Sequence, residues 1–365
     1  MISVTNTQNS IALQLLQSTS HSSANSSASA RHSDPASIIG AISSGSDATN
    51  SPMTKALAEI TRISLESGGE TISAGDDAKV TGTDFDDYIQ VGNGATVNGG
   101  DGDDVIYSGH GSTINGGDGN DKIYTGFGST VNGGNGDDWI LGGAKSVMHG
   151  GEGNDRVAGG GEIHGDAGDD YVTGTGNLYG GEGDDTVVTG STGSITDANT
   201  NAYGGVGNDT IQIYKGATGY GGEGNDTIEI NYGEGAASGG VGDDRITVES
   251  NKDSDRVAII KFDKGDDKDT IILQDGNATL ELGSGLDADK INISYNEDGG
   301  EAVITFEGNE NDQITISNDL RFSATNIVEL KFADGSTQQI TLDRGHGDYL
   351  GAGIEAYLRQ TGQRD

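Results

Sequence analysis

The chain has no cysteine, two prolines, one tryptophan and only 20 lysines and arginines among its 365 residues. Without cysteine there is neither a disulfide framework nor thiolate metal chemistry. The few bases face 58 acidic residues, for a formal charge of −38. Such a surface repels nucleic acid and anionic membranes and makes cations the natural partners. No apolar run approaches the roughly 18 residues that span a bilayer, so no transmembrane segment is expected. The N-terminus also lacks the basic and long apolar regions of a general secretory signal, so an exported chain would need another route. Catalytic signatures are missing too. The six histidines (His21, His32, His110, His149, His164 and His346) fall in turns or tails and none lies in H-E-x-x-H. There is no G-x-S-x-G elbow and no phosphate-binding G-x-x-x-x-G-K-[ST] loop.

Glycine is what the chain has in excess: 64 residues, more than twice the usual share. Such a composition is poor for helices and implies a backbone that uses conformations only glycine reaches cheaply. The glycines and acids concentrate after residue 70. Residues 1–50 instead carry fourteen serines and no periodic apolar pattern, which predicts a disordered segment. The stretch 51–66, SPMTKALAEITRISLE, offers Ser51 as N-cap and Pro52 at the first helical position. It predicts a short helix opening an N-terminal cap over 51–81.

From residue 82 one sentence is repeated ten times, beginning with GTDFDDYI, GGDGDDVI, GGDGNDKI and GGNGDDWI. The period is 17 residues, shortened to 15 twice and lengthened to 24 once, where 189–203 predicts a bulging loop. Each period reads Gly-Gly-x-Gly-Asx-Asp-x-aliphatic-x and then supplies a second aliphatic, such as Val97, Ile114 or Val131. Two short strands joined by glycine-permitted turns make one rung of a flattened coil. One aliphatic per strand suffices because rungs stacked about 4.8 Å apart merge them into a continuous core. The fold class is therefore all-β: a parallel β-roll or β-solenoid of about ten 17-residue rungs over 82–250.

The sixth position is aspartate in all ten copies: Asp87, Asp104, Asp121, Asp138, Asp155, Asp170, Asp185, Asp209, Asp226 and Asp244. Stacking aligns these carboxylates into a column, where neighbours about 5 Å apart repel by roughly 3 kcal/mol at an effective dielectric of 20. A hard divalent ion between rungs resolves the conflict. Carboxylates and the carbonyls of the glycine turns form an all-oxygen, flexible ligand set, which favours Ca²⁺ over Mg²⁺. The turn carbonyls lie near Gly100, Gly102, Gly117, Gly119, Gly134, Gly136, Gly151 and Gly153. The Asn or Asp at position five reads as turn chemistry, not as a ligand.

This pattern resembles the nonapeptide of the RTX (repeats-in-toxin, haemolysin-type) family of calcium-binding proteins. The resemblance implies a right-handed roll with Ca²⁺ between like turns of successive rungs, held by the position-six aspartates and turn carbonyls. Those rolls carry the motif on both edges. Here the second turns (GHGSTI, GFGSTV, GAKSVM) lack the aspartate, so one column of up to about nine ions is expected, with fewer around Phe85–Asp87 and around the insertion at 189–203. Residues 251–344 contain further strand-like runs without the metal motif and look like the C-terminal haemolysin-type β domain of the family, with FADGS (332–336) as a closing hairpin. The tail 345–365 is compatible with the family's uncleaved signal for a bacterial type I exporter.

These readings together predict a secreted, non-catalytic calcium-binding protein of Gram-negative bacterial type. It would fold on meeting extracellular Ca²⁺ and act at an extracellular polysaccharide or a host surface. Two other classes stay open. A harpin-like substrate of a type III secretion apparatus would carry its export signal in the serine-rich residues 1–50, and a polysaccharide-acting enzyme would use the solenoid as scaffold. Outward aromatics (Tyr88, Tyr107, Tyr124, Trp139 and Tyr171) read first as cross-rung packing and second as a stacking surface for sugars. The row Thr96, Thr113 and Thr130 lapses after three rungs.

Overall fold

The triplets that follow each Gly-Gly-x-Gly-Asx-Asp form one wall of every turn. A computed structural model describes residues 61–190, 200–214, 216–249, 257–274, 277–297, 299–318 and 325–343. Their regular structure is β, apart from a 3-10 turn at Ala288–Lys290. No helix among them is long and apolar enough to cross a membrane. They divide into two compact units between Val147 and Met148.

In the first unit the strands Tyr88–Gln90, Val105–Tyr107, Lys122–Tyr124 and Trp139–Leu141 stack in parallel at the 17-residue register, pairing Ile89 with Ile106, Ile106 with Ile123 and Ile123 with Ile140. The other wall is built from Lys79–Thr81, Thr96–Asp101, Thr113–Asp118 and Thr130–Asn135, which align Val80, Val97, Ile114 and Val131. The four isoleucines of the first wall have no solvent exposure. Each contributes about 1.5–3 kcal/mol by burial. The last three of these are six residues long, not three, because the backbone stays extended through the glycine pair. Gly100, at φ +127°, takes an extended conformation closed to residues with a Cβ.

The beginning of this unit differs from the sequence expectation. Thr61–Ser64, inside the stretch read as helix, is a strand that pairs antiparallel with Glu70–Ser73. Thr71–Ser73 then stacks in parallel on Tyr88–Gln90, with Ile72 over Ile89. The β-branched alternation of TRIS finds a sheet edge to join, and that tertiary contact overrides a weak helical propensity. Leu65 and Glu66 lie in the turn that follows, and residues 51–60 of the predicted helix, with the whole of 1–50, lie outside the described residues.

The second unit repeats the design. One wall aligns Val157, Val172, Val187, Ile211, Ile228, Ile246 and Ile271. The other aligns Ile163, Leu178, Ala202, Gly219, Ala237, Ile260 and Leu280. Where the second wall shrinks to alanine and glycine, the first gains buried Ile213, Ile230 and Val248. A Cβ on Gly219 would lie 3.2–3.5 Å from Ile211, Ile213 and Ile228, so large residues fill the space that small ones leave. In the 15-residue periods the two walls merge into twelve-residue strands, Arg156–Ala167 and Tyr171–Glu182. The 24-residue period keeps register on both sides, with Gly181 paired to Gly205. Of the loop expected over 189–203, Thr189 and Asn201–Tyr203 belong to strands that pair with their neighbours, and 191–199 lies outside the described residues.

Parallel stacking does not stop at residue 250. Lys268–Leu273 lies on Arg245–Val248 and Ala258–Phe262 on Ala236–Val241. Asn309–Asn318 and Thr325–Lys331 add a further layer on each wall. Antiparallel hairpins are attached to this layer: Ile291–Tyr295 with Glu301–Phe306, and Thr325–Lys331 with Thr337–Asp343, which turns at Phe332–Ser336 within FADGS. Residues 344–365 lie outside the described residues.

Candidate metal centre

A wall strand can begin only after the chain has turned, and the position-six aspartate is the last residue of that turn. Its side chain points inward. All ten such aspartates are buried, at 1–3% exposure. In the first unit the Asp87 N–H donates to Asp104 Oδ1 at 2.7 Å, Asp104 N–H to Asp121 Oδ1 at 2.8 Å and Asp121 N–H to Asp138 Oδ1 at 2.7 Å. In the second unit the same relay runs from Asp155 N–H to Asp170, Asp185, Asp209, Asp226 and Asp244. Each carboxylate is thus fixed by the backbone of the turn before it.

Fixing one oxygen leaves the other exposed to the interior. Oδ2 of Asp104, Asp121, Asp170, Asp185, Asp209, Asp226 and Asp244 is buried and accepts no hydrogen bond. An unmet buried carboxylate oxygen is costly, and its recurrence at one position fits a role as cation ligand. The space beside it is reserved by glycine. A Cβ on Gly99 would collide with both Asp104 Oδ2 and the Gly116 carbonyl, and one on Gly116 with Asp121 Oδ2 and the Gly133 carbonyl. Gly180, Gly204 and Gly221 guard the same space beside Asp185, Asp209 and Asp226. An aspartate oxygen and a carbonyl oxygen of the next turn therefore converge on each cradle, a donor set that suits a hard cation.

Burial raises these carboxyls far above their ordinary range. Desolvation lifts Asp104 to about 7, Asp121 to about 8, Asp185 to about 7 and Asp244 to about 7, despite the lowering effect of the neighbouring N–H. Asp138, Asp170, Asp209 and Asp226 rise to about 6 for the same reason. Neighbouring aspartates push most of them further, so the column holds either protons or metal near neutrality.

Asp87 differs from its repeats. Its Oδ2 accepts the Thr83 N–H at 2.6 Å, and its Oδ1 lies 3.2 Å from Thr83 Oγ1 and accepts the Glu70 N–H. Gly82 still faces Asp87 Oδ2 and the Gly99 carbonyl, but Thr83, in place of the second glycine, gives its N–H to that oxygen. The carbonyls named from the sequence face along the stack: Gly100 O abuts Gly117, Gly102 O abuts Gly119, Gly117 O abuts Gly134, Gly119 O abuts Gly136 and Gly153 O abuts Gly168. The carbonyls beside the free aspartate oxygens belong instead to the first glycine of each pair, which sequence reasoning did not name.

Asp269 is a further member. Its Oδ1 accepts the Asp244 N–H at 3.1 Å, and burial raises its carboxyl to about 9. The signal was present: KDTI at 268–271 repeats the Asp-Thr-Ile of 209–211 and 226–228, with only Gly265 of the preceding glycines. Position five forms a separate ladder running the other way, in which Asp103 N–H donates to Asp86 Oδ1 and Asn120 N–H to Asp103 Oδ1 at 3.0 and 2.8 Å. On the opposite edge of the first unit a similar ladder links Asp76, Asn93, His110 and Phe127, around buried serines instead of carboxylates.

Two histidines are misplaced by the sequence reading. His149 and His164 lie in the strands Ser146–Glu152 and Arg156–Ala167, not in turns, because the second-wall strand runs on into the glycine pair and, at His164, the two walls are merged into one strand. His110 is in a turn, and His21, His32 and His346 lie outside the described residues.

The model of the RTX calcium-binding nonapeptide repeat matches this chain in four copies, at residues 81–112, 111–130, 177–191 and 218–229. No curated protein matches. Among solved structures, the extracellular lipase LipA from Serratia marcescens is similar at 17% identity and a TM-score of 0.25, over 59% of this chain and 38% of the lipase.

Proposed function

We propose that this chain, which carries RTX calcium-binding nonapeptide repeats, is a secreted, non-catalytic protein whose roll is completed by extracellular calcium. The observation that carries this reading is the column of buried aspartates with a free Oδ2 beside a glycine carbonyl. Asp104, Asp121, Asp138, Asp155, Asp170, Asp185, Asp209, Asp226, Asp244 and Asp269 would hold the ions, with the carbonyls of the flanking glycine turns. Bound calcium supplies the positive charge that lets these carboxylates ionise in a dry site. The chain's own part is to fix each Oδ1 by a backbone N–H, to keep each cradle free of side chains and to bury the array between two aliphatic walls.

At a site affinity near the 10⁻⁴ M of extracellular modules, about 1 mM Ca²⁺ stabilises the fold by roughly 1.4 kcal/mol per site. Cytosolic calcium contributes almost nothing. The repeats then stay unfolded inside the cell, thread a type I exporter and fold outside, where the roll acts at a polysaccharide or host surface. The absence of hydrolase and protease signatures from the sequence supports a role without catalysis.

The test is a calcium titration of chelated protein followed by far-UV circular dichroism and by the emission of Trp139, next to Asp138. A cooperative coil-to-β transition at 0.1–1 mM Ca²⁺, order of magnitude, that Mg²⁺ does not reproduce is expected. Full β structure in chelator would overturn the reading. Export assays on chains lacking 345–365 or 1–50 decide the route: loss with the former deletion supports type I, and loss with the latter the type III alternative.

A further inference from the structure

We propose that His149, His164 and Asp166 form a second metal site, separate from the aspartate column and built for a transition-metal ion of the Zn²⁺ class. One donor atom from each of the three lies within 4.8 Å of the others. His149 Nδ1 is 2.9 Å from Asp166 Oδ2. Two imidazoles and one carboxylate are a borderline-soft set that suits Zn²⁺, Co²⁺ or Ni²⁺ and is poorly matched to Ca²⁺. A tetrahedral ion with bonds of about 2.0–2.1 Å holds its donors about 3.4 Å apart. His149 and Asp166 are partly exposed, at 38% and 37% of their side chains, so rotation about their side-chain bonds can close the difference.

The repeat itself marks this place. At the position of Asp166 the neighbouring turns have Gly151, Gly181, Gly205 and Gly222, all with φ between +124° and +136°. Asp166 sits at φ +81°. A residue with a Cβ is strained in the left-handed region, a strain that glycine avoids in these neighbouring turns. The departure brings a carboxylate to the one face where the ring ladder changes chemistry. That ladder runs His149, His164, Tyr179, Tyr203 and Tyr220, stacked at 4.4, 4.5, 4.9 and 5.0 Å. Histidine replaces tyrosine only in the two turns within reach of Asp166. Tyr179 packs beneath His164 and holds it in orientation, and Glu162 Oε1 lies 3.3 Å from His164 Nε2 as the carboxylate partner that ligating histidines commonly have.

The full chain in excess Ca²⁺ tests this, because the aspartate column is then saturated. Zn²⁺ is titrated calorimetrically and Co²⁺ by visible absorption, in the parent and in two variants. Asp166→Gly restores the residue of the other repeats and relieves the strained φ, so it folds at least as well. His149→Gln with His164→Gln removes both nitrogens and keeps the stacking wall polar. The expected result is a single tight Zn²⁺ equivalent and intense tetrahedral Co²⁺ bands in the parent. Affinity should fall about tenfold or more in Asp166→Gly, at an unchanged or higher thermal midpoint, and the Co²⁺ bands should vanish in the double variant. No uptake by the parent beyond its calcium, or uptake unchanged in both variants, overturns the proposal.

Discussion

Asp121 shows how much rests on one side chain. Its Oδ1 is held by Asp104, and the Asp138 carboxylate in the next turn holds Asp121's own N–H. Asp121→Asn keeps the backbone contact and removes the charge. Equilibrium dialysis should show fewer bound calcium ions, and the calcium-driven folding midpoint should rise, in line with roughly 1.4 kcal/mol per site. Protonation follows the same logic. Carboxyls raised to about 6–8 bind protons in the folded chain that the unfolded chain, with ordinary values near 4, has already released. The calcium-free fold is therefore favoured by these groups below about pH 4 and loses that advantage as pH rises through 6–8. Calcium must displace the protons, so its affinity should weaken as pH falls from 8 to 5, and binding at pH 6 should release protons measurable in a pH-stat. A pH-independent affinity over that range would contradict the burial of the column.

At the scale of the element, the turn owes its function to space as much as to ligands. Gly99→Ala places a methyl between Asp104 Oδ2 and the Gly116 carbonyl. It should raise the calcium midpoint sharply and lower the calcium-loaded thermal midpoint. Gly111→Ala is the control, since nothing lies within 4 Å of a Cβ there and only its φ of +63° is strained. That variant should cost about 1–2 kcal/mol with calcium affinity intact. Equal effects from the two would mean that the cradle is not a site. The walls are held by less specific forces: Ile123→Ala should destabilise by about 2–5 kcal/mol through the cavity it leaves in the isoleucine row.

At the scale of the whole molecule, each turn contacts its neighbours by the same pairs, so stability is close to a sum over turns and interfaces. Excising the 17 residues 108–124 joins Tyr107 to Thr125, the counterpart of Ser108, and restores every pairing. The shortened chain should fold with one turn and about one calcium fewer. Removing 16 residues instead shifts the register by one and turns the aliphatics outward. That chain should fail to fold with calcium, as circular dichroism would show.

The period, the aliphatic rows and the position-six aspartates were legible in the sequence, because stacking repeats turns a one-dimensional spacing into a spatial column with no further choice. The oxygen that is free was not legible. Sequence places Asp104 and Asp121 in a row, but only the stacked backbone decides that Oδ1 takes an N–H and Oδ2 faces a first-glycine carbonyl. Asp87 and Asp269 mark the same boundary: one matches the motif but has its oxygens occupied by Thr83 and Glu70, and the other keeps only one of the glycines but joins the column. Thr61–Ser64 became a strand because a sheet edge was waiting, and His149 met His164 and Asp166 because neighbouring turns stack like positions of their strands. Local spacing determines what a turn contains; which atoms meet is decided by the neighbouring turn, and that depends on how the whole stack closes.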